Sequence, residues 1–257
     1  MPTLEIQAFT PARVAELNEA FLGASAETIL TWTAHAFPPH RLALACSLGL
    51  EDLALVEMLA RLPRVPRIFV LDTGRLPQET YDLLQQVRRH YNLDVEVYFP
   101  QAAAVEALVR RDGPNGFYEG LDQRRACCAV RKVEPLHRAL DGADAWITGL
   151  RREQAPTRRE LQPFELDAEH GGILKINPLL DWTFDQTRAY LRHHGVPVNA
   201  LHDQGYPRLG CAPCTRPVQP GEDLRAGRWW WEAPEHKECG LHLKTPIPEE
   251  SHDRHAD

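Results

Sequence analysis

The six cysteines of this 257-residue chain are the residues most able to do chemistry, and their spacing is not that of a disulfide framework. Cys127 and Cys128 are adjacent, Cys211-Ala212-Pro213-Cys214 is a CxxC, Cys239 stands in Glu238-Cys239-Gly240-Leu241-His242, and Cys46 closes a short apolar run. Residues three apart on a helical turn share a face, so Cys211 and Cys214 can grip one metal centre. With the tandem pair they supply four thiolates, a set that suits tetrahedral zinc or an iron–sulfur cube. Neighbouring side chains diverge, which is awkward around one small zinc ion and easier on two irons of a cube. Spacing alone leaves both centres open. Cys239 falls outside any metal-ligand spacing. A thiol with an ordinary pKa of about 8.5 is only a few per cent thiolate at neutral pH, and a neighbouring cation such as protonated His242 lowers that pKa. By position alone Cys239 is more often an exposed tail thiol than a nucleophile. Cys46 reads as a small buried hydrophobe.

A second set of residues could hold an anion. Ser47-Leu48-Gly49-Leu50-Glu51-Asp52 joins an apolar run to a helical pattern, where free backbone N–H groups and the helix dipole favour phosphate or sulfate. The same six residues also make an ordinary capped helix start. Further cationic candidates are Arg151 and Arg158, Arg131-Lys132 just after the cysteine pair, and Arg225 and Arg228 ahead of Trp229-Trp230-Trp231. Each hydrogen bond to a charged partner contributes roughly 1.5–3 kcal/mol. A few that converge would hold a small anion tightly. The three tryptophans read best as an anchor for the tail, with a partner surface as the other reading.

The elements that must position these groups alternate in type. Residues 11–36 carry apolar positions at helical spacing and predict one or two helices covering a sheet edge. Strands are predicted at 41–46, 67–71, 94–99 and 145–148, with helices over 52–62 and 77–91 between them. That order implies an α/β fold, a mainly parallel sheet flanked by helices. In such sheets ligands sit at the carboxyl ends of the strands near the topological switch point, where the loops at Ser47, Thr73 and Gly149 fall. Beyond Gly149 an Arg-rich stretch leads to two short strand-like pieces and a helix near 184–193. Past Gly195 the periodicity fades, which predicts loops and a mobile C-terminal tail.

Composition narrows the class. A net charge of −7 argues against a duplex-binding protein, so no nucleic acid partner is expected. No apolar run approaches the roughly 18 residues of a membrane span. The first residues lack a basic segment followed by an apolar stretch, so a cytoplasmic address is expected.

Several phrases together resemble the phosphoadenylyl sulfate and adenylyl sulfate reductase family. They are Ser-Leu-Gly-Leu-Glu-Asp at 47–52, Leu71-Asp-Thr73-Gly with Pro77 and Tyr81 beyond it, Cys127-Cys-Ala-Val-Arg-Lys132-Val-Glu-Pro-Leu, Gly149-x-Arg151-x-x-Gln-x-x-x-Arg158, Gly210-Cys-Ala-Pro-Cys-Thr-Arg, Arg225-Ala-Gly-Arg228-Trp-Trp-Trp-Glu, and Glu238-Cys-Gly-Leu-His. The likeness runs in order from about residue 40 to 242. It implies an adenine nucleotide α-hydrolase-like fold with an altered pyrophosphatase loop. Leu48 replaces the first glycine of that loop and Glu51-Asp52 its final Asp-Ser, which argues against ATP cleavage. The family's adenine and ribose contacts map to the loops around Leu71, Thr73 and Gly149, and its anion contacts to Ser47, Lys132, Arg158, Arg225 and Arg228. Gly49, Glu51, Asp52 and Arg151 are expected to bind substrate with them.

Members with both cysteine pairs carry a [4Fe-4S] cluster and mostly use adenosine 5′-phosphosulfate, so the resemblance implies that cluster on Cys127, Cys128, Cys211 and Cys214. It implies Cys239, assisted by His242, as the nucleophile, and thioredoxin or a similar dithiol protein as the reductant, since four cysteines are then committed and Cys46 is expected to be buried. The expected organisation is a reductase domain over 1–220 and a tail over 221–257 that carries the nucleophile. Alternatives are a reductase for the 3′-phosphorylated nucleotide, a tRNA-thiolating ATP pyrophosphatase relative, and a non-enzymatic metal-binding regulator. Oligomeric state, a homo-oligomer included, stays open.

Overall fold

The structure, a computed structural model, describes residues 9–155, 158–233 and 236. Six strands form one sheet in the order β3-β2-β1-β4-β6-β5. Strand β1 (Leu42–Ala45) is central, parallel to β2 (Arg67–Leu71) on one side and to β4 (Ala145–Ile147) on the other. Outside these lie β3 (Val95–Tyr98), parallel to β2, and β6 (Ile173–Ile176), parallel to β4. The edge strand β5 (Phe164–Asp167) runs antiparallel to β6, and these two are the strand-like pieces read after the Arg-rich stretch. Central strands covered on both faces must be apolar throughout, which is why β1 reads Leu-Ala-Leu-Ala. The chain winds outward from β1 to β3 and then returns to β4 on the other flank of β1. The switch point is therefore the crevice between the carboxyl ends of β1 and β4.

Helices α1 (Pro11–Ala20) and α2 (Ala26–Ala36) cover the β5 edge, as predicted. The Asn18 side chain donates to the Phe164 carbonyl at 2.9 Å and accepts from its amide at 3.0 Å, which closes a backbone edge that would otherwise invite pairing. The rings of Phe21 and Trp32 each lie 5.3 Å from that of Phe164. Helices α3 (Leu50–Ala60), α4 (Gln78–Tyr91) and α8 (Phe184–His194) follow the predicted positions within a residue or two.

Between β3 and β4 lie helices that the sequence reading left unassigned: α5 (Ala102–Asp112), then α6 (Leu121–Cys128) and α7 (Glu134–Leu140) joined by a π-helical turn over Ala129–Val133. Pro135 explains the turn. A proline inside a continuous helix offers no N–H to the carbonyl four residues back, here that of Arg131, and its ring crowds that carbonyl, so the backbone widens there. The widened turn follows directly on Cys127-Cys128 and carries Lys132.

Candidate nucleotide and cysteine site

The loop after β1 folds onto its own helix. Ser47 donates from its backbone N–H (2.7 Å) and its hydroxyl (2.5 Å) to one carboxylate oxygen of Asp52 in the first turn of α3. Leu48 takes a left-handed backbone, φ +59°. That conformation costs an L-residue roughly 1–2 kcal/mol. Burying the leucine, which is 2% exposed, offsets it with roughly 1.5–3 kcal/mol. Gly149, at the end of β4, faces this turn so closely that a Cβ there would stand 2.9 Å from that of Glu51 and closer still to the Asp52 carboxylate. Burial pushes the Asp52 carboxyl up to about 6 against the opposing hydrogen bonds from Ser47.

A cavity opens at this switch point. Ser47, Gly49, Glu51 and Asp52 form one wall, and Leu71, Lys132, Gly149 and Arg158 face it. Its floor is apolar, made by Ala45, Phe69, Leu136 and Trp146. Sequence reasoning missed two further lining residues, His202 and Arg208, which lie in the loop before the CxxC, where no periodicity marks them. His202 Nδ1 meets the Tyr206 carbonyl at 2.7 Å, and burial lowers its pKa.

Glu51 is paired with two protein cations through one carboxylate oxygen. Its Oε1 accepts from Arg151 Nε (3.0 Å) and Nη2 (2.9 Å) and from Arg208 Nη1 (2.9 Å). Arg151 itself is fully buried, donates also to Glu153 and to the Trp182 carbonyl, and is not among the residues that line the cavity. It braces the loop from behind. Arg158 donates to Gln154 from the cavity rim.

Thr73 lies at the cysteine side of the site and not in the cavity lining. The Cys211 thiol donates to its hydroxyl at 3.2 Å, and Arg131 donates to its carbonyl at 2.7 Å. Cys127 and Cys128 from the end of α6 and Cys211 and Cys214 from a short 3-10 turn line one small second cavity, with Arg75, Arg131 and Lys132 around it. Burial pushes the Cys214 thiol up to about 12 and raises that of Cys127, the latter against the nearby Arg131 and Arg75 cations. None of the five described cysteines is in a disulfide. An all-thiol donor set drawn from two segments into one cavity is the chemistry that an iron–sulfur cluster or a zinc ion takes, and among the described residues no group of three or more His, Cys, Asp or Glu side chains is arranged to hold a metal ion. Lys132 lines both cavities and stands between them.

Cys46 is buried, and its thiol is pushed well above its ordinary range, foremost by burial. Arg228 is 7% exposed, donates to the Cys214 carbonyl at 3.2 Å and lies 4.4 Å from the Trp229 ring centre. Arg225 lies in the same segment, its N–H donating to Asp223. Trp229 is buried beside Phe117 and Cys214, and Trp231 packs against Tyr118 at 4.5 Å, so two of the three tryptophans hold the end of the described chain onto the cysteine region. Cys239 and His242 lie outside the described residues. No helix among the described residues is long and apolar enough to cross a membrane.

The chain is similar to known proteins in sequence and in fold. Residues 41–217 match the family profile described as phosphoadenosine phosphosulfate reductase domain. A protein from Allochromatium vinosum named adenosine 5′-phosphosulfate reductase is 56% identical over 205 residues, 79% of each chain. One of the same name from Neisseria meningitidis is 43% identical over 246 residues, 93% of this chain and all of its own. Among solved structures, the phosphoadenylyl-sulfate reductase of Candida auris in a phosphate complex superposes with a TM-score of 0.69 at 29% identity, covering 80% of this chain and 98% of its own. An FMN adenylyltransferase of Candida glabrata shares the fold at a TM-score of 0.54 and 16% identity, covering 92% of this chain and 82% of its own.

Proposed function

The chain belongs to the phosphoadenosine phosphosulfate reductase family, and from that premise we propose that it reduces adenosine 5′-phosphosulfate to sulfite and AMP in sulfate assimilation. The observation that carries the reading is the placement of Lys132, one cation walling both the switch-point cavity and the four-thiol cavity. A nucleotide whose base lies on the apolar floor has its anionic end among Ser47, Lys132 and Arg158. Gly149 and Leu71 shape the same cavity around the nucleoside, and Thr73 acts from behind through Cys211. Glu51, Asp52 and Arg151 fix the loop that Ser47 and Gly49 present.

In the reaction the Cys239 thiolate attacks the sulfate sulfur. The bond from sulfur to the phosphate oxygen breaks, AMP leaves with that electron pair, and Cys239 carries an S-sulfonate. Two anions must meet in this step, and Lys132 and Arg158 offset their repulsion, aided by Arg225 and Arg228 where the tail segment begins. His242 favours the thiolate form of Cys239. A dithiol protein such as thioredoxin then attacks the Cys239 sulfur, sulfite departs with the electrons of the broken bond, and the second thiol of the pair resolves the mixed disulfide. Cys127, Cys128, Cys211 and Cys214 would hold a [4Fe-4S] cluster, which when bound supplies a charged, polarisable centre beside Lys132. We place this chemistry in the cytoplasm, where dithiol reductants are kept reduced.

Likeness to the Candida auris protein keeps a reductase for the 3′-phosphorylated nucleotide as the second reading. Changing Cys239→Ser tests the main one. It abolishes sulfite formation and leaves nucleotide binding and the visible absorption of the purified protein intact; sulfite formed at the wild-type rate removes Cys239 from its role.

A further inference from the structure

The segment that leads to Cys239 is clamped to the helix that carries the tandem cysteines, and one side chain makes the clamp. Arg124 lies on α6, one turn before Cys128. Its guanidinium donates from Nε to Glu232 Oε1 at 2.8 Å and from Nη2 to Glu232 Oε2 at 2.9 Å, a two-pronged pair with both side chains at most 6% exposed. The same Nη2 donates to the His236 carbonyl at 2.8 Å. Arg124 also reaches the Cys128 thiol and lies 4.9 Å from the Trp229 ring centre. One buried cation thus touches a cysteine of the four-thiol cavity, the tryptophan anchor and two points on the chain just ahead of Cys239.

Burying an arginine is costly unless its fork is matched, and Arg124 lines the four-thiol cavity and not the switch-point cavity. Its position makes sense as a tether. At about 3.3–3.6 Å per residue, the three residues past His236 carry the Cys239 Cα no more than about 11 Å from that of His236. While the clamp holds, Cys239 strays from the clamped segment by no more than that length, which limits the volume its thiol searches and raises its effective concentration at the sulfur it attacks.

We infer that Arg124 and Glu232 form a positioning clamp that sets the reach of Cys239 and couples it to the tandem-cysteine helix. The inference rests on Cys239 being the nucleophile. Because Arg124 contacts Cys128 and the tail segment together, the coupling is reciprocal: a change at the cysteine site alters how firmly the segment is held.

The test uses Glu232→Gln in the full chain, an isosteric change that removes the charge of the pair, with Arg124→Lys, which cannot make the fork, as the second variant. Three readouts are taken on the same preparations: AMP affinity, the single-turnover rate of S-sulfonation followed by intact mass with adenosine 5′-phosphosulfate and no reductant, and the rate of tryptic cleavage after Lys237. The clamp predicts at least tenfold slower S-sulfonation and several-fold faster cleavage after Lys237, with AMP affinity unchanged. Rates of sulfonation and cleavage equal to wild type in both variants overturn it, as does a loss of AMP affinity that accounts for all of the slowing. If the wild-type protein acquires no sulfonate on Cys239, the nucleophile assignment fails instead, and protection of the site after Lys237 still decides whether the clamp exists.

Discussion

Replacing Glu51 with glutamine separates a bracing role from a merely electrostatic one. Arg151 makes two carboxylate pairs of different burial. The Glu51 side chain is 10% exposed and accepts from two arginines, whereas the Glu153 side chain, on the other side of the same guanidinium, is 56% exposed. Removing one partner of a buried pair costs about 3–5 kcal/mol, because a charge stays buried without compensation. Glutamine keeps one acceptor oxygen, which puts Glu51→Gln near the lower end. For a chain of this size about 2 °C of Tm accompanies each kcal/mol, giving a drop of about 6 °C. Glu153→Gln, a solvent-screened pair, is expected to lower Tm by no more than about 2 °C. Burial alone would raise the Glu51 carboxyl, but Arg208 and Arg151 outweigh it and hold that pKa below the ordinary carboxylate range. A depressed folded-state pKa stabilises above the unfolded value and is lost as pH falls through the folded one. The contribution of the Glu51 pair is therefore fully present at pH 7 to 8 and is lost below about pH 4. Thermal melts by circular dichroism across that range read both effects. Equal melting of the two variants, or a gap that widens in acid, refutes the bracing role.

Asp52 titrates with the opposite sign. Its folded pKa of about 6 lies above the ordinary 3.8, so the folded state gains stability as pH falls from 7 to 4; relative to Asp52→Asn the wild type gains roughly 2–3 kcal/mol, and a flat difference in urea midpoints contradicts this. Gly149→Ala drives a Cβ into Glu51 and Asp52, which costs roughly 1–3 kcal/mol as overpacking and distorts the loop; AMP affinity measured by calorimetry falls at least tenfold, and unaltered affinity removes the close approach from the account of binding. Cys211→Ala removes one of the four thiols and is expected to lose iron and acid-labile sulfide while its far-ultraviolet spectrum stays native. Stoichiometric zinc without iron in the anaerobically prepared wild type overturns the cluster assignment.

The alternation of apolar runs and helical patterns made the sheet legible from β1 to β4, because buried parallel strands must be apolar and their crossovers helical. The loop at Ser47, the two cysteine pairs and the tryptophan anchor could be read for a similar local reason: each is a compact phrase with its own chemistry. What escaped depended on contacts between distant segments. Arg208 and His202 reach the cavity from a stretch without periodicity, 157 residues after Glu51 in the case of the Arg208 pair. Arg151 matched an anion-binding phrase, yet its guanidinium is turned into the protein by Glu51, a partner 100 residues away. The π turn at Ala129–Val133 had a visible cause in Pro135, but only the continuity of α6 with α7 turns that proline into a widened helix carrying Lys132. Arg124 stood in an ordinary arginine pair, and no spacing rule joins it to Glu232 108 residues later.

The central claim is that the chain reduces adenosine 5′-phosphosulfate with electrons from a dithiol protein. The measurement that tests it most directly is sulfite formation by the iron-loaded protein with reduced thioredoxin, with kcat/KM compared for adenosine 5′-phosphosulfate and its 3′-phosphorylated form. The account predicts turnover with a preference of at least a hundredfold for the nucleotide without the 3′-phosphate. A preference for the 3′-phosphorylated form, or no sulfite from either, contradicts it.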